Sequence, residues 1–161
     1  MILPPYPKPD DQNDYLAPHA LILLASFQHW TGRAIINPHL PGREQARRLF
    51  YMPSVVLSHN GAPDPVFTYA NQAALRLFGY AWEELIGLAS RHSAEPMHQS
   101  ERERLLTTVA RQGYIDDYRG IRISKSGRRF LIEQAVVWNL IDEQGRYRGQ
   151  AATFSDWTFL E

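Results

Sequence analysis

FTYANQAALRLFGYAWEELIG, residues 67–87, changes structural period at a single residue. FTYA carries the aromatic and β-branched side chains that suit a pleated, half-buried surface. Asn71 comes next, and its side-chain oxygen can accept the backbone N–H groups that a helix start leaves free. QAALRLF then gives two helical turns, and Gly79 gives the left-handed residue that stops them. Trp82 to Ile86 forms a further turn, with Glu83 and Glu84 at the end where the helix dipole favours acids, and Gly87 ends it. A strand that runs through an Asn cap into short helices is the element the remaining chain has to accommodate.

Working upstream, SVVLS (54–58) reads as a strand, and NGAPDP (60–65) is almost entirely turn formers, so SVVLS and VFTYA (66–70) pair as a hairpin. The segment INPHLPG (36–42) is a Pro/Gly connector between two helices. One of these helices runs from His19 to Trp30, with Leu21, Leu24, Ala25 and Gln28 on one side and Ile22 and Leu23 widening it; the other runs from Arg43 to about Met52. Residues 1–14, with four Pro and three Asp, are expected to be a mobile arm. Downstream, Ser100 and Glu103 form a capping box for a helix reaching about Arg111, with Leu105, Leu106 and Val109 inward. Three strands follow at 117–124, 129–141 and 148–157, joined at KSG and DEQG. The expected fold is therefore α+β: a five-stranded antiparallel sheet with helices on one face, divided as an arm (1–14), a helical extension (15–52) and the sheet domain (53–161).

The order of these elements resembles the PAS domain, and the residues that carry the likeness are Asn71, Ala73, Leu77, Gly79, Tyr80, Glu84, Leu85 and Gly87. Ala81 departs from it, since a capping Ser, Thr or Asp is usual there. VLSHNGAPDPVFTYANQAAL, SRHSAEP, RRFLIEQAVVWNL and GQAATF extend the resemblance over about residues 15–157 to the MEKHLA family, a PAS-like branch. That family occurs as small bacterial proteins and at the C-terminus of plant homeodomain–leucine zipper factors. The resemblance implies a sensory or regulatory module without an established reaction. Such a module would stand alone here, its output passing through another chain.

Composition narrows the classes. Seventeen Lys and Arg balance seventeen Asp and Glu, which gives no support for general nucleic-acid or membrane-surface binding. With no Cys, disulfides, zinc-thiolate sites, iron–sulfur clusters and thiol nucleophiles are excluded, as is a cysteinyl-flavin adduct. The N-terminus lacks the apolar core of a signal peptide, and the longest apolar run, ALILLA (20–25), is too short to span a bilayer. A soluble cytoplasmic protein is expected.

Ser58, His59 and Asp64 contain the side chains of a hydrolytic triad, but neighbours on a strand point to opposite faces. His59, Asn60 and Asp64 are therefore read as turn builders and Asn71 as a helix cap. For a cofactor, the resemblance to PAS leaves haem on His92 or His98 as an alternative. Alternation along 129–141 places Phe130, Ile132, Gln134, Val136 and Trp138 on one face. Tyr69, Phe78, Arg91, His92, Ile121, Trp138 and Phe154 are the candidates to line an apolar ligand pocket. Arg91 needs an acid, either Glu95, Glu133 or a ligand's own anionic group. LILLASF and Trp30 offer surface for a homodimer across a twofold axis. Three functions stay open: a module binding a small ligand or a regulatory protein partner, a redox protein or small enzyme using His92 or His98, and an interaction domain with a filled core.

Overall fold

A computed structural model describes residues 5–97 and 99–161. The switch at Asn71 is present as read: the helix α3 (Gln72–Phe78) starts with Asn71 Oδ1 accepting from the Ala74 N–H at 3.1 Å and stops at Gly79, φ 77°. Around it lie α1 (Ala17–Thr31), α2 (Gly42–Tyr51), β1 (Val55–His59) and β2 (Phe67–Ala70). After it come α4 (Trp82–Leu85), α5 (Gln99–Gln112), β3 (Tyr114–Ile123), β4 (Arg129–Ile141), β5 (Tyr147–Phe154) and β6 (Asp156–Phe159). At the uncapped Ala81, the Glu84 side chain accepts the Ala81 N–H at 2.9 Å, so the second half of a capping box is kept without the first.

The sheet is antiparallel throughout, in the order β2-β1-β5-β4-β3. The strand expected at 148–157 is cut at Ser155 into two pieces. β5 pairs with the second half of β4 and β6 with the first half, which makes six strands on a five-strand path.

Inside β4, Gln134 has φ 54°, and Tyr118 pairs with Ala135 while Gly120 pairs with Ile132. The extra residue in β4 is a bulge, and it reverses the alternation that a regular strand would have. Trp138 therefore leaves the face of Phe130. It joins the cross-strand row Trp138, Ala151, Ser58 and Tyr69, which α1 covers. The Trp138 indole donates to the Leu23 carbonyl at 3.1 Å, and its ring meets Phe27 edge-on at 5.1 Å. Phe130 stays on the opposite face against Phe78 of α3, ring centroids 5.3 Å apart. The N-terminal helix α1 thus covers the face opposite to the one that carries α3. Replacing Gln134 with Gly should relieve the left-handed backbone and add about 0.5–1 kcal/mol of stability, whereas Gln134→Val should remove about as much. Urea midpoints of the two variants check this.

The buried side of α1 is Ala20, Leu23, Leu24 and Phe27. Of the stripe expected from periodicity, Leu24 and, from its widened edge, Leu23 are shared, while Leu21, Ile22, Ala25 and Gln28 are not buried. Ser26 explains the rotation: its hydroxyl donates to the Ile141 carbonyl at 3.1 Å and accepts the Ile141 N–H at 2.9 Å, so a polar residue belongs to the buried face. Asn71 Nδ2 donates to Leu49 O and Ser54 O, on either side of residue 53, at 3.1 and 2.8 Å.

The described part of the expected arm, residues 5–14, is docked. The Tyr6 carbonyl accepts the Trp82 indole N–H at 2.8 Å, Pro9 is buried, and Arg43 holds Asp11 and Asp14. Asp14, Tyr15 and Leu16 have φ of 54°, 55° and 55°. Three consecutive left-handed residues cost about 1–2 kcal/mol each. Burial of the Tyr15 and Leu16 side chains, 6% and 2% exposed, offsets that cost.

Candidate functional site

The polar cluster in the β1–β2 hairpin builds a turn. His59 Nδ1 bonds the Asn60 carbonyl at 2.9 Å, and Asn60 Oδ1 accepts the N–H groups of Ala62 and Val66 at 3.3 and 3.1 Å. Asp64 reaches out of the turn to Arg91, Nε to Oδ1 3.1 Å, with both side chains largely exposed. Ser58 points to the other face, so Ser58, His59 and Asp64 do not converge. Neither expected acid partners Arg91: Glu95 is bound to Arg129, and Glu133 lies 3.5 Å from Arg119. Arg91 is solvated on the 3-10 turn Ser90–Ser93 rather than buried, which is why a loop acid suffices for it.

The seven residues proposed to line a pocket are not brought together. Tyr69 and Trp138 lie beneath α1, Phe78 is packed on Phe130, and Phe154 is buried beside Trp157 at 6.1 Å. Arg91 and His92 are exposed. Of the seven, Ile121 lines a cavity of about 580 Å³ that lies between residues 94–97, the first turns of α5 and the outer part of β3, and the other six do not line it.

The walls of that cavity follow from local pairing. Ala94 forms a bridge with Arg122, and the Glu95 N–H donates to the Ile121 carbonyl at 3.3 Å, so the loop after the 3-10 turn is pinned along the β3 edge. Met97, Ile121 and Leu131 supply apolar surface. Most of the surrounding charge is matched: Arg104 lies 2.9 Å from Asp117 and 3.5 Å from Glu101, and Glu95 is held by Arg129. Arg122 differs. Among the described residues it has no carboxylate partner, and its guanidinium stands over the Tyr118 ring at 5.8 Å with Nη2 3.5 Å from the Tyr118 hydroxyl. An apolar wall with one unmatched guanidinium is suited to a small molecule that carries an anionic group.

A second polar group lies beneath α1. His19 Nε2 is 3.2 Å from Ser58 Oγ, and its ring is 5.2 Å from Tyr6 and 5.9 Å from Tyr69. Burial, and after it the positive charge of Arg148, pulls the His19 pKa down to about 4. The Tyr69 hydroxyl is fully buried without a hydrogen-bond partner among the described residues, and burial pushes its pKa far up. Sequence reasoning missed both His19 and Arg122. His19 could have been found as the residue one helical turn before Leu23 on the buried stripe. Arg122 could have been found as a strand cation whose antiparallel partner is Phe130 rather than an acid.

Residues 17–159 match the MEKHLA domain. The chain belongs to the MEKHLA family. Among curated relatives, the homeobox-leucine zipper protein ATHB-9 of Arabidopsis thaliana is 33% identical over 99 residues, covering 60% of this chain and 11% of that protein. The chain therefore spans about a tenth of the length of that relative. Among solved structures, the PAS domain of a Colwellia psychrerythraea protein superposes with a TM-score of 0.58 at 16% identity, covering 73% of this chain and 95% of that one. The light-state dimer of the fungal blue-light photoreceptor Vivid superposes with a TM-score of 0.54 at 16% identity, covering 91% of this chain and 95% of that one. The fold of this MEKHLA domain is PAS-like, with an N-terminal helix added.

Within the MEKHLA domain, His92 is solvent-exposed on its 3-10 turn and does not line the cavity, so it offers no axial ligand there. His98 lies outside the described residues. No group of three or more His, Asp or Glu gathers at metal-binding distance among the described residues, and no helix there is long and apolar enough to cross a membrane. The side of α1 offered for a dimer is largely taken by its own sheet, since Leu23, Leu24 and Phe27 are buried and the Trp30 indole donates to the Asn139 carbonyl at 2.9 Å.

Proposed function

We propose that this MEKHLA domain is a non-catalytic sensory or regulatory module that takes a small carboxylate- or phosphate-bearing molecule in the cavity beside β3. One observation carries this reading: Arg122, without a carboxylate among the described residues, faces a cavity of about 580 Å³ with an apolar wall. That volume lies in the range of small-molecule sites. Binding there would tie the 94–97 loop and α5 to the β3 edge, and a ligand that bound one arrangement of these elements better would shift the population toward it. The PAS-like neighbours support a sensory role as an analogy of fold.

Native mass spectrometry of the purified protein tests the reading. The expected result is a non-covalent adduct of a few hundred daltons that Arg122→Gln loses or binds about 10- to 100-fold more weakly, the loss expected for one charge-assisted pair. An adduct retained by Arg122→Gln places the ligand elsewhere. A bare mass, with no thermal shift from a panel of carboxylates and phosphates, turns the reading to an interaction domain with a filled core. The same spectrum gives the oligomeric state. Self-association would use the outward residues Leu21, Ile22 and Ala25 of α1, and the dimeric form of Vivid supports testing for it.

A further inference from the structure

β6 pairs on one side with β4 and, among the described residues, with nothing on the other. The ladder determines which of its backbone groups are left over. The Leu160 N–H donates to the Arg129 carbonyl at 2.9 Å, so residues 129 and 160 are a hydrogen-bonded pair. In an antiparallel ladder such pairs alternate with pairs whose N–H and C=O groups point away. With Phe130 opposite Phe159 and Leu131 opposite Thr158, Thr158 bonds inward, and Phe159 and Trp157 direct their N–H and C=O groups outward. β1 cannot cover them. It begins at Val55, opposite Phe154, one residue before the break at Ser155.

The surface beside this edge is a groove of about 540 Å³ whose walls include Tyr51, Met52, Ala73, Leu77, Trp157 and Phe159. Tyr51 and Phe159 are 48% and 40% exposed, two of the four large apolar side chains that stand out most on the surface. The groove is also cationic. Arg76 lies in its wall, and Arg128 stands over the Phe159 ring at 3.5 Å; neither pairs with a carboxylate among the described residues. Four outward backbone groups call for another extended chain, the apolar wall calls for alternate apolar side chains, and the two cations call for acids beside them. A second copy of this chain would bring its own Arg76 and Arg128 to the same place, so like charges would meet.

We infer that the outer edge of β6 is a docking site for an extended, acid-flanked peptide segment of a partner protein, added to the sheet as a further strand. The probe is the blocked heptapeptide Glu-Val-Thr-Val-Thr-Val-Glu, titrated into the 15N-labelled full chain. The Trp157 and Phe159 amides should shift, and their hydrogen exchange should slow about tenfold or more at saturation. A probe with Lys at both ends should bind at least about tenfold more weakly. Phe159→Ala keeps the outward N–H and should keep measurable binding. Phe159→Pro removes that N–H without touching the β4 ladder, so it should abolish binding while leaving Tm near that of Phe159→Ala. Thr158→Pro removes an inward bond and should lower Tm. If Phe159→Pro unfolds the strand, the probe N-methylated at alternate residues applies the same test and should fail to bind. The inference is overturned if the shifts fall away from residues 157 and 159, if the N-methylated probe binds as well as the parent, or if the free chain already dimerises with these two amides protected.

Discussion

Asn71→Ala should lower the stability of the domain by about 3–5 kcal/mol, among the largest effects expected of a single substitution here. The Asn71 side chain is fully buried and uses its whole bonding capacity. Oδ1 accepts the N–H of Ala74, capping α3, and the N–H of Val56 in β1 at 3.0 Å. Nδ2 donates to the carbonyls of Leu49, in the last turn of α2, and Ser54, just before β1. One side chain thus ties two helices to the sheet, and Ala would leave four backbone groups unpaired, most of them buried. Loss of a helix cap alone costs about 1 kcal/mol, so urea unfolding separates the two roles. A loss near 1 kcal/mol would mean that Asn71 only caps α3. Asn71→Ser, which can still cap, should fall between wild type and Ala. Asn71→Asp keeps the shape but faces two carbonyls with an acceptor, so at neutral pH it should be at least as damaging as Ala. It should recover part of the loss in acid, where the protonated carboxyl can donate.

The same residue shows why part of this fold could be read from sequence. Asn71 and Gly79 are local signals: each sets the conformation of its own neighbourhood, and seven residues between them allow only a short helix. The turn at Asn60 is equally local, because its side chain bonds groups two and six residues away. What could not be read depends on pairing at a distance. Nothing in RRFLIEQAVVWNL marks Gln134 as left-handed; the bulge exists because β3 and β4 differ by one residue across it. That single residue moved Trp138 from the expected pocket to the underside of α1, and with it the plan of the site. The buried face of α1 departs from apolar periodicity for a related reason. Apolar periodicity counts Ser26 and His19 as outward, but their bonds to Ile141 and Ser58 turn them toward the sheet, Ser26 fully buried and His19 partly so. Arg91 found its acid 27 positions away in the hairpin turn, a pairing that depends on how the 3-10 turn crosses the β2 edge.

Acidification from pH 6.5 to 4 should weaken the domain by about 3 kcal/mol through His19 alone. In the unfolded chain the imidazole titrates near 6.5; in the folded protein, burial and then Arg148 hold it at about 4. Above pH 6.5 both states carry a neutral ring and the full stability is present. Between the two values the unfolded chain binds a proton that the folded chain does not, so each unit of acidification favours unfolding by up to about 1.4 kcal/mol. The groups around the ring explain the resistance. Ser58 offers one hydroxyl, Tyr6 and Tyr69 offer aromatic faces, and the charge that reaches it, Arg148, is positive. His59, also pulled down chiefly by burial, contributes with the same sign. His19→Gln can keep a bond to Ser58 and cannot titrate, so its stability should fall much less across the same window, and the double variant with His59→Gln should be flatter still. Urea unfolding at half-unit steps of pH measures the slope, and the His19 ring resonances should show no titration down to about pH 5. A His19→Gln profile as steep as that of wild type would mean that the buried ring beneath Tyr6 is not what makes the N-terminal segment and α1 sensitive to acid.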